Sequence, residues 1–128
     1  MANTYTKIYI QFVFAVQDRL SLIQNAWKDE LCKHITGIVQ NNKHKLIAIN
    51  GMANHFHVFV GYKPHQLIPD LLQDIKASSS GWINEKRFVK GKFQWHESYG
   101  AFSYSHSQIA FLNKFNIEYD ERYILDIK

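Results

Sequence analysis

Apolar and polar residues alternate over residues 5–16, YTKIYIQFVFAV. Ile8, Ile10, Phe12, Phe14 and Val16 take one side; Lys7, Tyr9, Gln11 and Val13 take the other. A period of two belongs to a strand with one core face and one partly polar face. QDRLSLIQ reads as a loop. From Asn25 to about Asn42 the period becomes helical: Trp27, Leu31, Ile35, Ile38 and Val39 share a stripe, with Asn25 placed as N-cap. KLIAIN (45–50) is a second strand, Gly51 punctuates a turn, and HFHVFVGY (55–62) is a third, so the two predict a hairpin. Pro69 suits a first helical turn, and Leu71, Leu72, Ile75 and Trp82 carry that helix to about Asn84. EKRFVKGK is a basic loop. FQWHESYGAFSYS (93–105) is strand-rich with a break near Glu97–Gly100, and SHSQIAFLNKF predicts a short helix before a charged, extended tail.

Strand, helix, strand, strand, helix, strand is the split pattern of an α+β, ferredoxin-like (RRM-like) sandwich. Its single antiparallel sheet carries the helices on one face and leaves the other face open. No repeat, linker or low-complexity run divides the chain, so residues 1–128 are expected to form one domain. With 46% apolar residues the chain can bury a core. No apolar stretch is long enough for a membrane helix, and MANTYTKIYI, without a basic-then-apolar pattern or a small-residue cleavage site, is not expected to act as a leader. One cysteine, Cys32, allows no internal disulfide; it is expected to be a buried, inert thiol, and the cytoplasm is the expected compartment. A formal charge of +4 tilts the choice of partner toward a polyanion.

The candidate chemistry lies in MANHFHVFV (52–60). Residues i and i+2 of a strand share a face, so His55 and His57 are neighbours on one side, with Phe59 beyond them. Phe56, Val58 and Val60 face the core. Two adjacent imidazoles repel when both are protonated and are compatible when neutral and sharing a divalent cation. The spacing alone also fits two polar residues on a solvated strand, and two ligands are too few for a closed structural site.

The surrounding sequence resembles the single-tyrosine (HUH) insertion-sequence transposases, the IS200-like and REP-associated tyrosine transposases. His55-Phe56-His57 stands as their His-hydrophobic-His signature. KIYIQFVFAVQDR resembles their first strand and DLLQDIKASSSGWINEK their second helix. FQWHESYGAFSYSHSQI resembles the strand and the entry to the catalytic helix, and KFNIEYDERYIL the tail. The resemblance implies a homodimer that binds hairpin or single-stranded DNA ends. It implies nicking and rejoining through a phosphotyrosine, with magnesium or manganese held by His55 and His57. The family's nucleophile follows this segment on a helix, with a metal-ligating glutamine four residues after the tyrosine. Here SYSHSQI runs directly into AFLNKFNIEYDERYI, and the tyrosine-bearing helix is missing between them. The departure implies impaired cleavage. Tyr104 and Gln108 have the tyrosine-to-glutamine spacing, which makes Tyr104 the candidate nucleophile by number and Gln108, like His106, a candidate third ligand. Tyr119 and Tyr123 in the tail read as packing or dimer-contact residues, and Tyr99 as structural in its strand.

For nucleic acid, Lys76 with Ser78, Ser79 and Ser80 offers a small, donor-rich patch, and Lys7 and Tyr9 can line the sheet face that carries the histidines. Lys86, Arg87, Lys90 and Lys92 form a basic loop. The alternative to a transposase is a non-catalytic nucleic-acid-binding module of RRM-like fold, a repressor or RNA binder; a hydrolase of small phosphate esters fits an open sheet less well.

Overall fold

Strand β1 (Ile8–Ala15) turns Ile10, Phe12 and Phe14 into the core, as its alternation requires. The computed structural model describes residues 8–104. A short 3₁₀ turn (Gln17–Arg19) leads to α1 (Asn25–Asn41), followed by β2 (Lys45–Gly51), β3 (His55–Tyr62), α2 (Ile68–Lys86) and β4 (Gly100–Tyr104). The sheet order is β2-β3-β1-β4, with every pair antiparallel. This is the ferredoxin-like arrangement expected from the element order. Phe56, Val58 and Val60 of β3 join Phe12 and Phe14 beneath Leu31 and Ile35 of α1 and Leu71 and Ile75 of α2. Cys32 is buried in the same core, as expected. Among the described residues no helix is long and apolar enough to cross a membrane.

Local differences from the sequence reading have local causes. Asn25 is the first helical residue; the cap position is Gln24, whose side chain makes no capping bond. Helix α2 runs two residues past Asn84 and closes on Arg87 in the left-handed region (φ 56°). Residues 93–99 form no ladder of their own. Val16 bridges Trp95, and the Gln17 and His96 amides donate to the carbonyls of Gln94 and Ala15. The short helix expected after Ser105 lies outside the described residues.

Strand β2 keeps its place through a bulge. Leu46 pairs with Val60 and Ala48 with Phe59, so Ile47 is the extra residue. Leu46 and Ile49 face the helices, while Ile47 and Ala48 pack with Phe59 on the opposite face. Without the bulge, Ile49 would lie opposite His57 and Asn50 would turn into the core. Beyond it, Gly51 ends the strand where a Cβ would sit 2.3 Å from the Phe56 ring. The following turn is held from two sides: the Val16 amide donates to the Asn54 carbonyl (2.8 Å) and the Ile23 amide to the Ala53 carbonyl (3.0 Å).

Helix α2 fastens the 93–99 segment with side chains. Asn84 both donates to the Phe93 carbonyl (3.0 Å) and accepts from its amide (2.7 Å). The indole of Trp95 donates to the Ser79 hydroxyl (2.8 Å), which itself donates to the Ile75 carbonyl (2.6 Å). The Lys76 ammonium donates to the carbonyls of His96, Glu97 and Ser98 at 2.8, 3.2 and 2.9 Å. Partial burial pulls the Lys76 pKa below its ordinary value, and the Glu97 charge opposes that shift. Lys76→Met keeps the stem and removes all three bonds. It is expected to lower stability by about 1–3 kcal/mol and to speed amide exchange selectively over residues 96–98, read by hydrogen-exchange mass spectrometry.

At the other end of the molecule His44 is 4% exposed and bonded as a neutral ring. Its Nδ1 accepts the Lys63 amide (3.0 Å) and its Nε2–H donates to Gln66 Oε1 (2.8 Å). It is stacked between Tyr62 and His65, at 4.4 and 4.9 Å. Burial lowers its pKa below 6.5; the Gln66 bond opposes this, and the His65 and Lys63 charges add to it. A group whose folded pKa is depressed toward its neutral form binds fewer protons folded than unfolded. Its contribution is complete above 6.5, the unfolded value, and is lost as the pH falls below it. The melting temperature is expected to drop on acidification through that value, and the drop to be smaller in His44→Gln.

Candidate metal and nucleic-acid site

The two histidines lie on the sheet face opposite α1 and α2 because the core claims the alternate residues of β3. His57 stands between Val13 of β1 and Asn50 of β2, and His55 stands opposite Ala15, a side chain short enough to leave room for an imidazole. Both are half-buried. Their ring centroids are 5.0 Å apart, with the planes inclined at 73°.

Each ring is oriented through Nδ1 by a carboxamide. His55 Nδ1 lies 2.7 Å from Asn54 Oδ1. A carboxamide oxygen only accepts, so Nδ1 carries a proton, and in the neutral ring the lone pair is then on Nε2. The support comes from the turn before β3, the same turn that the Val16 and Ile23 amides hold in place. His57 Nδ1 lies 2.7 Å from Gln11 Nε2. Gln11 is only 5% exposed, and its Oε1 accepts the Tyr104 hydroxyl at 2.8 Å. A line of hydrogen bonds therefore runs from β4 across β1 to β3: Tyr104 to Gln11 to His57. A partner that accepts from the other ring nitrogen fixes ring orientation and basicity in histidine metal sites, as the Asn54 oxygen does for His55. In its neutral form His55 accordingly fits a divalent cation through Nε2, and His57 stands beside it as the second imidazole. Among the described residues no group of three His, Cys, Asp or Glu side chains converges on one point.

Beside the pair the face is aromatic. Phe59 packs with Ile47 and Ala48, and Tyr9 and Tyr104 rest against that cluster. The Tyr104 ring meets Phe59 edge-on at 5.4 Å. Phe102, opposite Gln11 in the register, is 54% exposed. A cleft of about 520 Å³ opens next to His55, lined by Ala15, Asp18, Arg19, His96, Tyr99 and Phe102 among others. Asp18 and Arg19 hold positive φ, 59° and 56°, a conformation that costs a non-glycine residue energy. Sequence reading missed these lining residues. QDRLSLIQ has no periodicity, and His96 is brought in only by the backbone bridges around Val16 and Trp95.

The structure separates the residues expected to meet DNA. Tyr9 lies on the histidine face, half-buried. Ser79 is a correction: it is fully buried, and its hydroxyl is used between Ile75 and Trp95. Ser78 turns the other way, toward α1, where its hydroxyl is 3.3 Å from His34 Nε2. Lys76 spends its ammonium on the 96–98 carbonyls, with the Tyr99 ring 5.4 Å away. Lys7, His106, Gln108, Tyr119 and Tyr123 lie outside the described residues.

Two solved structures share this architecture. One is a protein assigned as a transposase from Deinococcus radiodurans R1: TM-score 0.75, 21% identity, covering 91% of this chain and 93% of that one. The other is a REP-associated tyrosine transposase bound to a REP hairpin: TM-score 0.62, 11% identity, covering 91% of this chain and 72% of that one. At these identities the likeness shows the fold. No curated protein sequence matches the chain. The profile of the family described as "Transposase IS200 like" matches residues 4–118, nearly the whole length, and a match of that extent makes the chain a member of the IS200-like transposase family.

Proposed function

We propose that this transposase binds hairpin or single-stranded DNA on the face of its sheet opposite α1 and α2, as one domain that pairs with a second copy. His55 and His57 would hold a divalent cation against a phosphate of the bound strand. The observation that carries the reading is the pair itself: two half-buried imidazoles 5.0 Å apart on the sheet face opposite α1 and α2, each oriented through Nδ1 by a carboxamide. Imidazole donors suit manganese better than the harder magnesium, which prefers oxygen. The bound metal would supply Lewis-acid polarisation of the phosphodiester. The chain's own residues supply the rest. Arg19 and Asp18 rim the cleft beside His55, where the guanidinium can take a backbone phosphate. The exposed Phe102 ring offers a face to an unpaired base, with the half-buried Tyr9 and Tyr104 on the same sheet.

Strand cleavage is a separate step and needs a nucleophile. The family's tyrosine helix has no counterpart between SYSHSQI and AFLNKF, and the Tyr104 hydroxyl is bonded to Gln11. We therefore read Tyr104 as support for His57 and this chain as impaired in cutting. The exposed Phe102 ring, with the half-buried Tyr9 and Tyr104 on the same sheet, also favours a second reading, a nucleic-acid-binding module that works without metal or cleavage.

Two measurements test these readings. In Mn²⁺ titrations, His55→Ala and His57→Ala are each expected to weaken binding at least about tenfold, since loss of a ligand costs no less than loss of its supporting partner. In gel-shift assays the full chain is expected to prefer a hairpin with a single-stranded flank over a blunt duplex, and binding to weaken with chelator. Binding that ignores both chelator and His57→Ala selects the metal-free module, and a preference for RNA would make it an RNA binder. Incubation with hairpin DNA and Mn²⁺ is expected to leave no SDS-stable protein–DNA adduct; an adduct lost in Tyr104→Phe would make Tyr104 the nucleophile.

A further inference from the structure

Gln11 is a nearly buried carboxamide bonded at both ends, and its two ends differ chemically. Toward His57 it presents its NH₂ group, so His57 Nδ1 must carry a lone pair and the proton of the neutral ring sits on Nε2. His55 is set the opposite way by the Asn54 oxygen. The two rings of the pair are thus held in opposite tautomers. A metal takes an imidazole nitrogen through its lone pair, and a partner that accepts from the other nitrogen raises the ring's basicity. His55 meets that condition at Nε2; His57 does not while the Gln11 amide points as it does.

We propose that Gln11 is a positioning residue for the histidine pair. Turning its carboxamide over would switch His57 Nε2 from proton-bearing to metal-accepting, and the Tyr104 hydroxyl makes that turn possible. This rests on the metal reading given above. In the turned state Gln11 Oε1 accepts from His57 Nδ1–H, and the Gln11 NH₂ donates to the Tyr104 oxygen. The ring loses the proton on Nε2 and gains one on Nδ1, so its charge does not change. A phenol hydroxyl both donates and accepts, and the same two contacts of 2.7 and 2.8 Å are kept in both orientations. An aliphatic or purely donating group at position 104 would leave the turned amide with an orphaned N–H. A buried N–H without a partner is rarer than a carbonyl without one. Loss of the hydroxyl therefore holds Gln11 in the orientation that blocks His57.

Imidazole ¹⁵N NMR on the full chain reads the His57 tautomer without metal. The expected result is Nε2–H in the wild type and Nδ1–H in Gln11→Glu, whose carboxylate only accepts. Mn²⁺ titration is expected to show binding about tenfold tighter in Gln11→Glu and about tenfold weaker in Gln11→Met and Tyr104→Phe, the lower end of what loss of a supporting partner costs. The proposal is overturned if the tautomer is the same in wild type and Gln11→Glu, or if Tyr104→Phe binds Mn²⁺ as the wild type does. Tyr104→Phe is a change at the end of an edge strand, so the test stands even if Gln11→Met does not fold. A wild-type chain that binds no Mn²⁺, while its tautomer still follows residue 11, overturns the metal reading and keeps the coupling between Gln11 and His57.

Discussion

The pairing of β1 with β3 sets Phe12 beside Val58 and Phe14 beside Phe56 under the helices, and in the same stroke sets Val13 beside His57 and Ala15 beside His55 on the opposite face. A strand's side chains alternate strictly, so a slip of one residue would exchange the two sets. Phe56, Val58 and Val60 would enter water, losing about 1.5–3 kcal/mol each, and both imidazoles would be carried into an apolar interior. The hydrophobic face thus specifies the register, and the register specifies the site. The Ile47 bulge extends that constraint to β2, returning Ile49 to the core and delivering Asn50 to the side of His57.

Polar groups on a sheet face are cheap only where water reaches them, and Gln11 is not such a place. It is 5% exposed, between Phe59 on β3 and Phe102 on β4 in the register. A carboxamide there is tolerated because both ends are bonded, and an unbonded end would cost about 1–3 kcal/mol. A leucine at position 11 would satisfy the strand pattern and the packing alike. What leucine cannot do is hold His57 by Nδ1. The residue that local stability would not choose is the one in contact with the candidate ligand, and such local inconsistency is expected at functional sites.

The elements that follow a period were legible in the sequence. β1, α1, the β2–β3 hairpin and α2 needed only the spacing of apolar residues, and the order of elements fixed the sheet. The histidine pair was legible for the same reason, since i and i+2 of a strand share a face. The donor-rich patch on α2 was misread because adjacency in sequence was taken for adjacency in space. On a helix, Ser78 and Lys76 point nearly opposite ways, and Ser79 falls on the side of Leu72 and Ile75, the buried stripe. The wheel alone could have separated them. Gln11 was placed correctly on the polar face, but nothing in YTKIYIQFVFAV tells that its amide reaches His57. That contact spans 46 positions and exists only once β1 and β3 are paired. Asp18, Arg19 and His96 were invisible for a like reason, being gathered by loop backbone that has no period to read.

The 93–99 segment joins the two halves of the molecule. Its inner side is bound to α2 through Ser79, Lys76 and Asn84; its outer side gives His96 and Tyr99 to the cleft at His55. The same two residues line a second hollow, of about 360 Å³, against Leu72, Gln73, Ala77 and Ser80 of α2. One strip of backbone therefore forms the shared wall of both. Lysine suits its holding point because three carbonyls in sequence offer no donor of their own, and a single ammonium carries three N–H groups to meet them. The charge on α2 that reads from sequence as a grip for phosphate is spent instead on shaping the wall of the cleft where phosphate would lie. A helix can contribute to a site on the far side of the sheet in this way, by fixing a segment that passes round its edge.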